Sequence, residues 1–316
     1  LRDANWDPDF PTAAATVERL YTDATGRVPD VVLAITTSAT EALVRATGPV
    51  SFSVNGHAIT VDASNVTDTL ENLTDVDFAT LSLTKANRKE VLVQFAQALL
   101  PKVQLYASQD PGGALQLLSQ LTERYDLQAW SNDPGLDSHL AGLSARREVD
   151  AATGDALLVV DTNLNAYKTD PYVQRTATYD VVLDGPGGAA QATLTLTYRN
   201  TSSTAQRLTT TYNDYVRVYV PSGSLLQHAT GLAHVTPTQR HGRTVFGGML
   251  IVPQGQARTI TLTYTLGPSV GRSLSGYRLS LERQAGSVPF TLTASVQAGD
   301  RAKTLSGTTD LDVLLR

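Results

Sequence analysis

Residues 154–179, GDALLVVDTNLNAYKTDPYVQRTATY, mark the point at which the sequence pattern changes. Before this stretch, apolar residues recur at helical spacing between short apolar runs, and after it they alternate with threonine. Periods of about 3.6 and 2 residues indicate helices and half-buried strands, respectively. We therefore predict an α+β multidomain protein with a mixed α/β domain at 1–150 and an antiparallel, immunoglobulin-like β-sandwich at 151–316.

The second half carries apolar and hydroxyl-bearing residues in strict alternation. The stretches ATLTLTY at 192–198 and RTITLTYTL at 258–266 show this pattern, and turn formers such as Gly-Pro-Gly-Gly at 185–188 separate the runs. Such alternation is typical of sheets with one buried and one solvent-exposed face. The threonines are therefore expected on the exposed faces.

The beginning of the first half contains clear helix and hairpin signals. A helix that starts near Phe10 is expected to end at Gly26, where glycine favours a left-handed cap. Ser38 and Glu41 predict a capping box for a helix that ends at Gly48. The apolar run at 31–35 predicts a strand buried on both faces, and Asn55-Gly56 predicts a type I′ hairpin over 50–61.

Two further helices are predicted after this hairpin. Asn87 with Glu90 indicates the cap of a helix that runs to about Leu100, with Leu92, Ala96, Leu99 and Val103 on its buried face. Asp110-Pro111 indicates the start of another helix that carries several leucines. The first half is therefore α/β or α+β with an excess of helix.

Composition excludes several classes of protein. The net charge is −5 and no basic cluster is longer than Arg146-Arg147, which argues against a nucleic-acid partner. Cysteine is absent, so a disulfide scaffold and a thiol nucleophile are excluded. No apolar run approaches the roughly 18 residues that span a bilayer.

The first residues, LRDANWDPDF, contain neither an initiator methionine nor a signal sequence. We therefore expect a further segment upstream of Leu1, by which the full-length protein could be anchored in a membrane. The many threonines and serines of the second half suit a protein on the outside of the cell.

Several stretches resemble a large family of bacterial cell-envelope proteins known only as a domain of unknown function. They include DANWDPDFPTAA, LYTDATGRVPDVVLAI, NRKEVLVQFAQALL, GDALLVVDTNLNAYKTDPYV and GRTVFGGMLIVPQG, in this order along the chain. The first half is also distantly similar to LytR-CpsA-Psr phosphotransferases, which attach glycopolymers to the cell wall. That second resemblance implies a pyrophosphate site with several arginines and a magnesium ion, mostly contributed by a segment upstream of Leu1.

Arg88, with Lys85, matches the arginine-rich helix of those phosphotransferases. The two residues are candidates for an anion-binding site at a helix N-terminus, where backbone N–H groups favour a phosphate. Lysine does not reproduce the bidentate contact of arginine, so the alternative is a pair of solvated surface residues. No catalytic residue and no cofactor is predicted.

Metal sites are not predicted. Asp161, Asn163 and Asn165 have the spacing that begins a calcium loop, but Ala166 stands where that loop requires glycine and Tyr172 where it requires glutamate. A hydrogen-bonded turn is the favoured interpretation. Among the five histidines, the spacing of His234 and His241 does not indicate a zinc site.

Tyr215 and Tyr219 lie two residues from Arg217 on a predicted strand. They are candidates for a glycan-stacking surface, or alternatively for a sheet face packed on a neighbouring domain. We predict a non-enzymatic structural or adhesive protein at the cell surface, such as a repeating component of a surface layer or filament. The expected partners are other surface-protein subunits or a cell-wall glycopolymer, and the alternatives are a phosphotransferase or a glycan-binding module.

Overall fold

The computed structural model describes residues 3–143, 148–165, 167–184, 188–271, 273–309 and 313–315. The chain divides into two compact units, Leu1–Asn5 with Phe10–Arg147 and Trp6–Asp9 with Glu148–Arg316. The first unit is a mixture of helices and short strands, and the second is built from sheets. No helix in these ranges is long and apolar enough to cross a bilayer.

The first unit carries its helices around two small antiparallel sheets. One sheet pairs β1 with β4, and the other pairs β2 with β3. Its elements are α1 (Phe10–Thr25), β1 (Val32–Ile35), α2 (Thr37–Thr47), β2 (Val50–Val54), β3 (His57–Val61), α3 (Val66–Asp75), α4 (Glu90–Gln109), α5 (Pro111–Glu123), β4 (Leu127–Trp130) and α6 (Pro134–Gly142).

The hairpin of β2 and β3 is present as predicted, with positive φ angles at Asn55 (48°) and Gly56 (83°). Alternate residues of β2 point into the core, where the Phe52 ring meets the Phe95 ring of α4 edge-on at 5.8 Å. The hairpin therefore provides one wall of the core on which α4 packs.

The prediction that the 31–35 strand is buried on both faces is wrong. Leu33 is 60% exposed and Ile35 is 51% exposed, whereas Val32 packs on Phe10 and Ala14 of α1. The reason is that β1 pairs only with β4, and α1 covers only one face of this pair. An apolar run of this length does not reveal how many layers cover it.

Two predicted helix starts are also corrected. The cap of α2 is Thr36, whose hydroxyl accepts a hydrogen bond from the Ala39 N–H (3.1 Å), and Ser38 lies inside the helix. Asn87 accepts from the Thr84 N–H (2.7 Å) and does not cap α4. The terminating glycines Gly26 and Gly48 do have the expected positive φ angles.

The buried face of α4 is predicted in part, and its end differs from the prediction. Leu99 is buried as predicted and Val103 is half-buried against the same core, whereas Leu92 and Ala96 are exposed. Val91 and Phe95 are buried as well. The helix continues through Pro101 to Gln109, because the proline ring removes one backbone hydrogen bond without ending the packed face. The predicted start of α5 is confirmed, since the Asp110 carboxylate accepts from the Gly113 N–H at 2.9 Å.

Replacing Thr36 by alanine tests the corrected cap. We expect Thr36→Ala to lower the free energy of unfolding by about 1 kcal/mol, because an N–H at the start of α2 loses its acceptor. Ser38→Ala is the matched control and should change it by less than about 0.5 kcal/mol, since Ser38 is exposed. Chemical denaturation measures both, and equal effects would contradict the corrected cap.

The second unit contains two six-stranded sheets that share one hydrophobic core. One sheet has the order β10-β11-β8-β5-β13-β16, and the other has the order β15-β14-β6-β7-β12-β9. The strands are β5 (Asp155–Val160), β6 (Val173–Val182), β7 (Gln191–Asn200), β8 (Tyr212–Pro221), β9 (Leu225–Thr230), β10 (Ala233–Arg240), β11 (Arg243–Val252), β12 (Ala257–Thr265), β13 (Leu279–Glu282), β14 (Thr291–Ala298), β15 (Arg301–Thr308) and β16 (Val313–Leu315).

The two sheets are mixed, so the prediction of purely antiparallel pairing is wrong in part. The pairs β5–β13 and β6–β14 are parallel, and the other strand pairs described are antiparallel. Parallel neighbours require a long crossover connection, and each of these pairs is separated by more than a hundred residues of chain. Residues 185–187 of the predicted Gly-Pro-Gly-Gly turn lie outside the described residues.

Candidate functional site

Arg88 and Lys85 lie in the turns that precede α4. Arg88 forms an ion pair with Asp75 at the end of α3 and donates a hydrogen bond to the Thr74 carbonyl (3.1 Å). Lys85 is exposed. One of the two cations predicted to bind an anion is therefore already paired with a carboxylate.

Tyr215 and Tyr219 have different environments on the outer face of β8. Tyr219 is 2% exposed and packs with Val149, Leu158 and Val245. Tyr215 is half-buried, and its ring stacks on Trp6 with centroids 5.7 Å apart and an interplanar angle of 25°. Tyr219 is therefore part of a packed face within the second unit.

Trp6, Tyr215 and Arg217 form an aromatic cluster, which we call the Trp6 cluster. The Arg217 guanidinium lies 4.7 Å from the centre of the Trp6 ring, a cation–π distance. Trp6 itself is 42% exposed. The Tyr215 hydroxyl lies over Gly247 of β11, where a Cβ atom would be 2.5 Å from it. Sequence reasoning had not linked Trp6 with this strand, because their separation in sequence carries no local signal.

The guanidinium group of Arg175 lies in the turn that begins at Asp161. Arg175 Nε lies 2.6 Å from Asp161 Oδ2, and Arg175 Nη2 lies 3.4 Å from Asp170 Oδ1. The side chains of Arg175 and Asp161 are both buried. Asn163 donates to Asp170 Oδ2 (3.0 Å), so the turn is hydrogen-bonded as expected. Ala166 lies outside the described residues.

Two buried tyrosines complete this network. The Tyr198 hydroxyl donates to Asp161 Oδ1, and the Tyr212 hydroxyl donates to Asp170 Oδ1, both at 2.8 Å. Burial, which is the larger cause, and the neighbouring carboxylates hold the pKa of both tyrosines well above the usual range. Both phenols therefore remain hydrogen-bond donors to these carboxylates.

Asp214 lies beside the same network. Its Oδ1 accepts from the Thr162 N–H at 2.6 Å. Burial raises the pKa of Asp214 well above its usual range, and the Asp161 carboxylate raises it further. The ion pair of Arg175 with Asp161 therefore lies beside a second buried carboxyl group, whose pKa is raised by burial.

Replacing Arg175 tests whether this network is structural. We expect Arg175→Leu to lower the free energy of unfolding by about 3–5 kcal/mol, because it leaves the Asp161 carboxylate buried without its ion-pair partner. The control is Arg199→Leu on β7, which removes an exposed arginine and should cost less than about 0.5 kcal/mol. Urea denaturation compares the two, and a cost below about 1 kcal/mol for Arg175→Leu would contradict the assignment.

A second buried carboxyl group, that of Asp155, lies between tyrosines. Its Oδ2 accepts from the hydroxyls of Tyr277 (2.6 Å) and Tyr179 (2.8 Å), and Tyr264 donates to Tyr179 (3.2 Å). Burial raises the pKa of Asp155 to about 6, and the two phenol hydrogen bonds limit the rise. The folded protein therefore binds a proton here more tightly than the unfolded chain does.

The raised pKa of Asp155 makes stability depend on pH in a defined window. Its stabilising contribution is present below about pH 4 and is lost as the pH rises through about 6. Asp155→Asn cannot ionise, so its free energy of unfolding relative to wild type should increase by about 2 kcal/mol between pH 4 and pH 7, at 1.36 kcal/mol per pKa unit. Urea denaturation at a series of pH values measures this difference.

A companion variant tests the direction of the same effect. Tyr277→Phe removes a hydrogen bond that lowers the pKa of Asp155, so the window should move to higher pH. A difference between Asp155→Asn and wild type that is constant from pH 4 to pH 7 would contradict both expectations.

The outer face of the β15-β14-β6-β7-β12-β9 sheet carries hydroxyl groups in rows across the strands, and we call it the hydroxyl face. The residues of each row are register partners on neighbouring strands. The central row is Ser306, Thr293, Thr178, Thr195, Thr261 and Thr230; the row on one side is Thr308, Thr291, Thr176, Thr197 and Thr259; and the row on the other side is Thr304, Ser295, Asp180, Thr193, Thr263 and His228.

The hydroxyl face is a regular array that remains accessible to solvent. Neighbouring strands are about 4.8 Å apart and successive rows about 6.8 Å apart, from standard strand geometry. Thr197 and Thr259 share a hydrogen bond across strands (3.0 Å). The central hydroxyls of Thr178, Thr195 and Thr261 have no side-chain partner within the described part of the chain. Alternation predicted the exposed threonines, but only the strand register aligns them into rows.

His234 and His241, the two histidines considered for a zinc site, lie at opposite ends of β10. His241 Nε2 lies 2.8 Å from Asp7 Oδ1, and His234 lies at the start of β10. Within the described ranges, no group of three or more His, Cys, Asp or Glu residues is arranged to hold a metal ion.

Residues 1–74 match the family described as "Protein of unknown function (DUF4012)". This match agrees with the resemblance to a domain of unknown function, whereas the likeness to LytR-CpsA-Psr enzymes and the cell-envelope location stay predictions. No curated protein matches the chain.

Solved structures with partial similarity include an M1 zinc metallopeptidase mutant bound to a Tyr-Ser-Ala substrate, from Deinococcus radiodurans, with 14% identity and a TM-score of 0.26. A putative nutrient binding protein from Legionella pneumophila shows 12% identity and a TM-score of 0.26. The matches cover 43% and 46% of this chain, and 39% and 56% of those chains, respectively. At these TM-scores, neither match supports an inference about this protein.

Proposed function

We propose that this protein is a non-enzymatic structural or adhesive protein of the cell surface or cell envelope, whose hydroxyl face binds a neutral cell-wall glycopolymer. The proposal rests on three adjacent threonines of the central row, Thr178, Thr195 and Thr261, whose hydroxyls have no side-chain partner in the described part of the chain. Each hydroxyl donates one hydrogen bond and accepts two, so the array is complementary to a polymer that presents repeated hydroxyl groups.

The chemistry of the hydroxyl face favours a glycan over other partners. The three rows contain no lysine or arginine, so they lack the groups that bind nucleic-acid phosphates. They also contain no aromatic residue and no large apolar residue. Protein interfaces depend on such residues at their centres, where serine and threonine are under-represented.

The buried ionisable groups support a structural role. Arg175 is paired with Asp161, and Asp155 accepts hydrogen bonds from two tyrosines. These groups are enclosed and engaged with each other, whereas a catalytic carboxyl must reach a substrate. Their chemistry therefore serves the packing of the second unit.

The location and the assembly of the protein are part of the same proposal. A unit of two packed sheets with threonine on an outer face suits an extracellular position. A repeating component of a surface layer or filament would present many such faces side by side, and weak contacts to a polymer would then add up. Other surface-protein subunits remain the second proposed partner.

The Trp6 cluster supports a second way of binding glycan. Trp6 is 42% exposed and could stack on a sugar ring, with Tyr215 supporting it from behind. Tyr219 is too deeply buried to take part without rearrangement. A phosphotransferase is supported less, because Arg88 would have to release Asp75 to bind pyrophosphate.

Co-sedimentation with insoluble glycans tests the proposal. We expect the wild-type protein to bind microcrystalline cellulose, chitin or purified cell wall, and the triple variant Thr178→Val, Thr195→Val, Thr261→Val to bind at least about tenfold more weakly, because three hydrogen-bonding groups are lost. The control replaces Thr236 and Thr238 by valine on β10 of the other sheet and should leave binding unchanged.

Two outcomes decide between the surfaces. If Trp6→Ala abolishes binding and the triple variant does not, the Trp6 cluster is the glycan site and the hydroxyl face is not. If the wild-type protein sediments with none of these glycans, the proposed partner is wrong.

A further inference from the structure

The first unit contains an apolar cavity of about 480 Å³. Its walls come from α4 and α5, with Leu43 of α2 and Leu127 of β4. The lining includes Val103, Ala107 and Leu118, and the Tyr106 hydroxyl is its one polar side-chain group. The cavity lies in a different unit from the hydroxyl face, so it does not depend on the proposed function.

The leucines around this cavity are incompletely covered by protein. Leu115 is 68% exposed and Leu118 is 37% exposed, although both line it. Apolar surface exposed in a concave site is stabilised when an apolar group removes it from water. A cavity of this size and composition is typical of ligand-binding sites.

We propose that this cavity binds one unbranched hydrocarbon chain, of a free fatty acid or of an acyl lipid. Its volume is roughly three times that of an engineered 150 Å³ cavity that binds benzene, which corresponds to a chain of about 18 carbons. No charged side chain lines it, so an ion or a sugar would lose its hydration without replacement.

A protein segment is a poorer occupant for the same cavity. A peptide in an extended conformation would bury N–H and C=O groups for which the walls offer only the Tyr106 hydroxyl. A hydrocarbon chain has no such groups and can bend to the shape of the site.

Fluorescence titration of the full chain with cis-parinaric acid, a fluorescent 18-carbon fatty acid, tests the proposal. We expect saturable binding, and competition by octanoic, dodecanoic and octadecanoic acids that strengthens with chain length. Each methylene that enters the cavity should improve affinity roughly fourfold, up to about 18 carbons. Competition that does not depend on chain length would overturn the proposal.

Variants that fill the cavity localise the binding. Ala107→Phe and Ala114→Phe place a ring in the cavity and should weaken binding of the probe at least about tenfold, while the unfolding temperature stays the same or rises because the ring fills open space. Ala96→Phe is the control, because Ala96 is exposed on α4 and does not line the cavity. Unchanged affinity in both filled variants would overturn the proposal even if one of them folds poorly.

Two further measurements identify the source of the chain. Co-sedimentation with phosphatidylcholine vesicles that is lost in Ala107→Phe assigns the chain to a bilayer lipid, whereas binding of monomeric fatty acid without vesicle binding assigns it to a free acid. Sedimentation velocity tests whether a second copy of the chain occupies the cavity instead. A concentration-dependent dimer that Ala107→Phe disrupts, without probe binding to the wild type, would assign the cavity to a second copy of the chain and overturn the proposal.

Discussion

The second unit depends on the burial of one side of each strand against a single core. On β6, β7 and β12, the residues Tyr179, Leu194 and Ile260 lie in this core and their neighbours in sequence face outward. Because successive side chains point to opposite faces, burial of the apolar set fixes the register of the whole sheet. The alignment of threonines into rows is a consequence of that register.

Polar groups inside this core are held by partners from distant parts of the chain. Arg175 on β6 neutralises Asp161, which follows β5, while Tyr198 on β7 donates to the same carboxylate. An ionised carboxylate without such partners would be strongly destabilising in the interior. The network therefore joins elements of both sheets and explains why the loop after β5 is rich in Asp and Asn.

Sequence reasoning succeeded where local chemistry decides the structure. The Asn55-Gly56 hairpin, the cap of α5 at Asp110 and the glycine with positive φ after α1 depend on backbone preferences of single residues. It failed where a neighbouring element determines the structure. One such case is the exposed face of β1. The other is the cap of α2, where the Thr36 hydroxyl donates to Asp126 and accepts from the Ala39 N–H. The Trp6 cluster and the apolar cavity also depend on distant elements.

The sequence by itself determined that a mixed half with helices precedes a half built from strands, that those strands have one threonine face, and that cysteine chemistry is absent. These properties follow from composition and from periodicity, which are local. Only the tertiary structure decided that Arg175 occupies the calcium-like turn, that two strand pairs are parallel, and that the cavity between α4 and α5 stays open. Each of these depends on which distant residues meet, and that is set by the packing of whole sheets and helices.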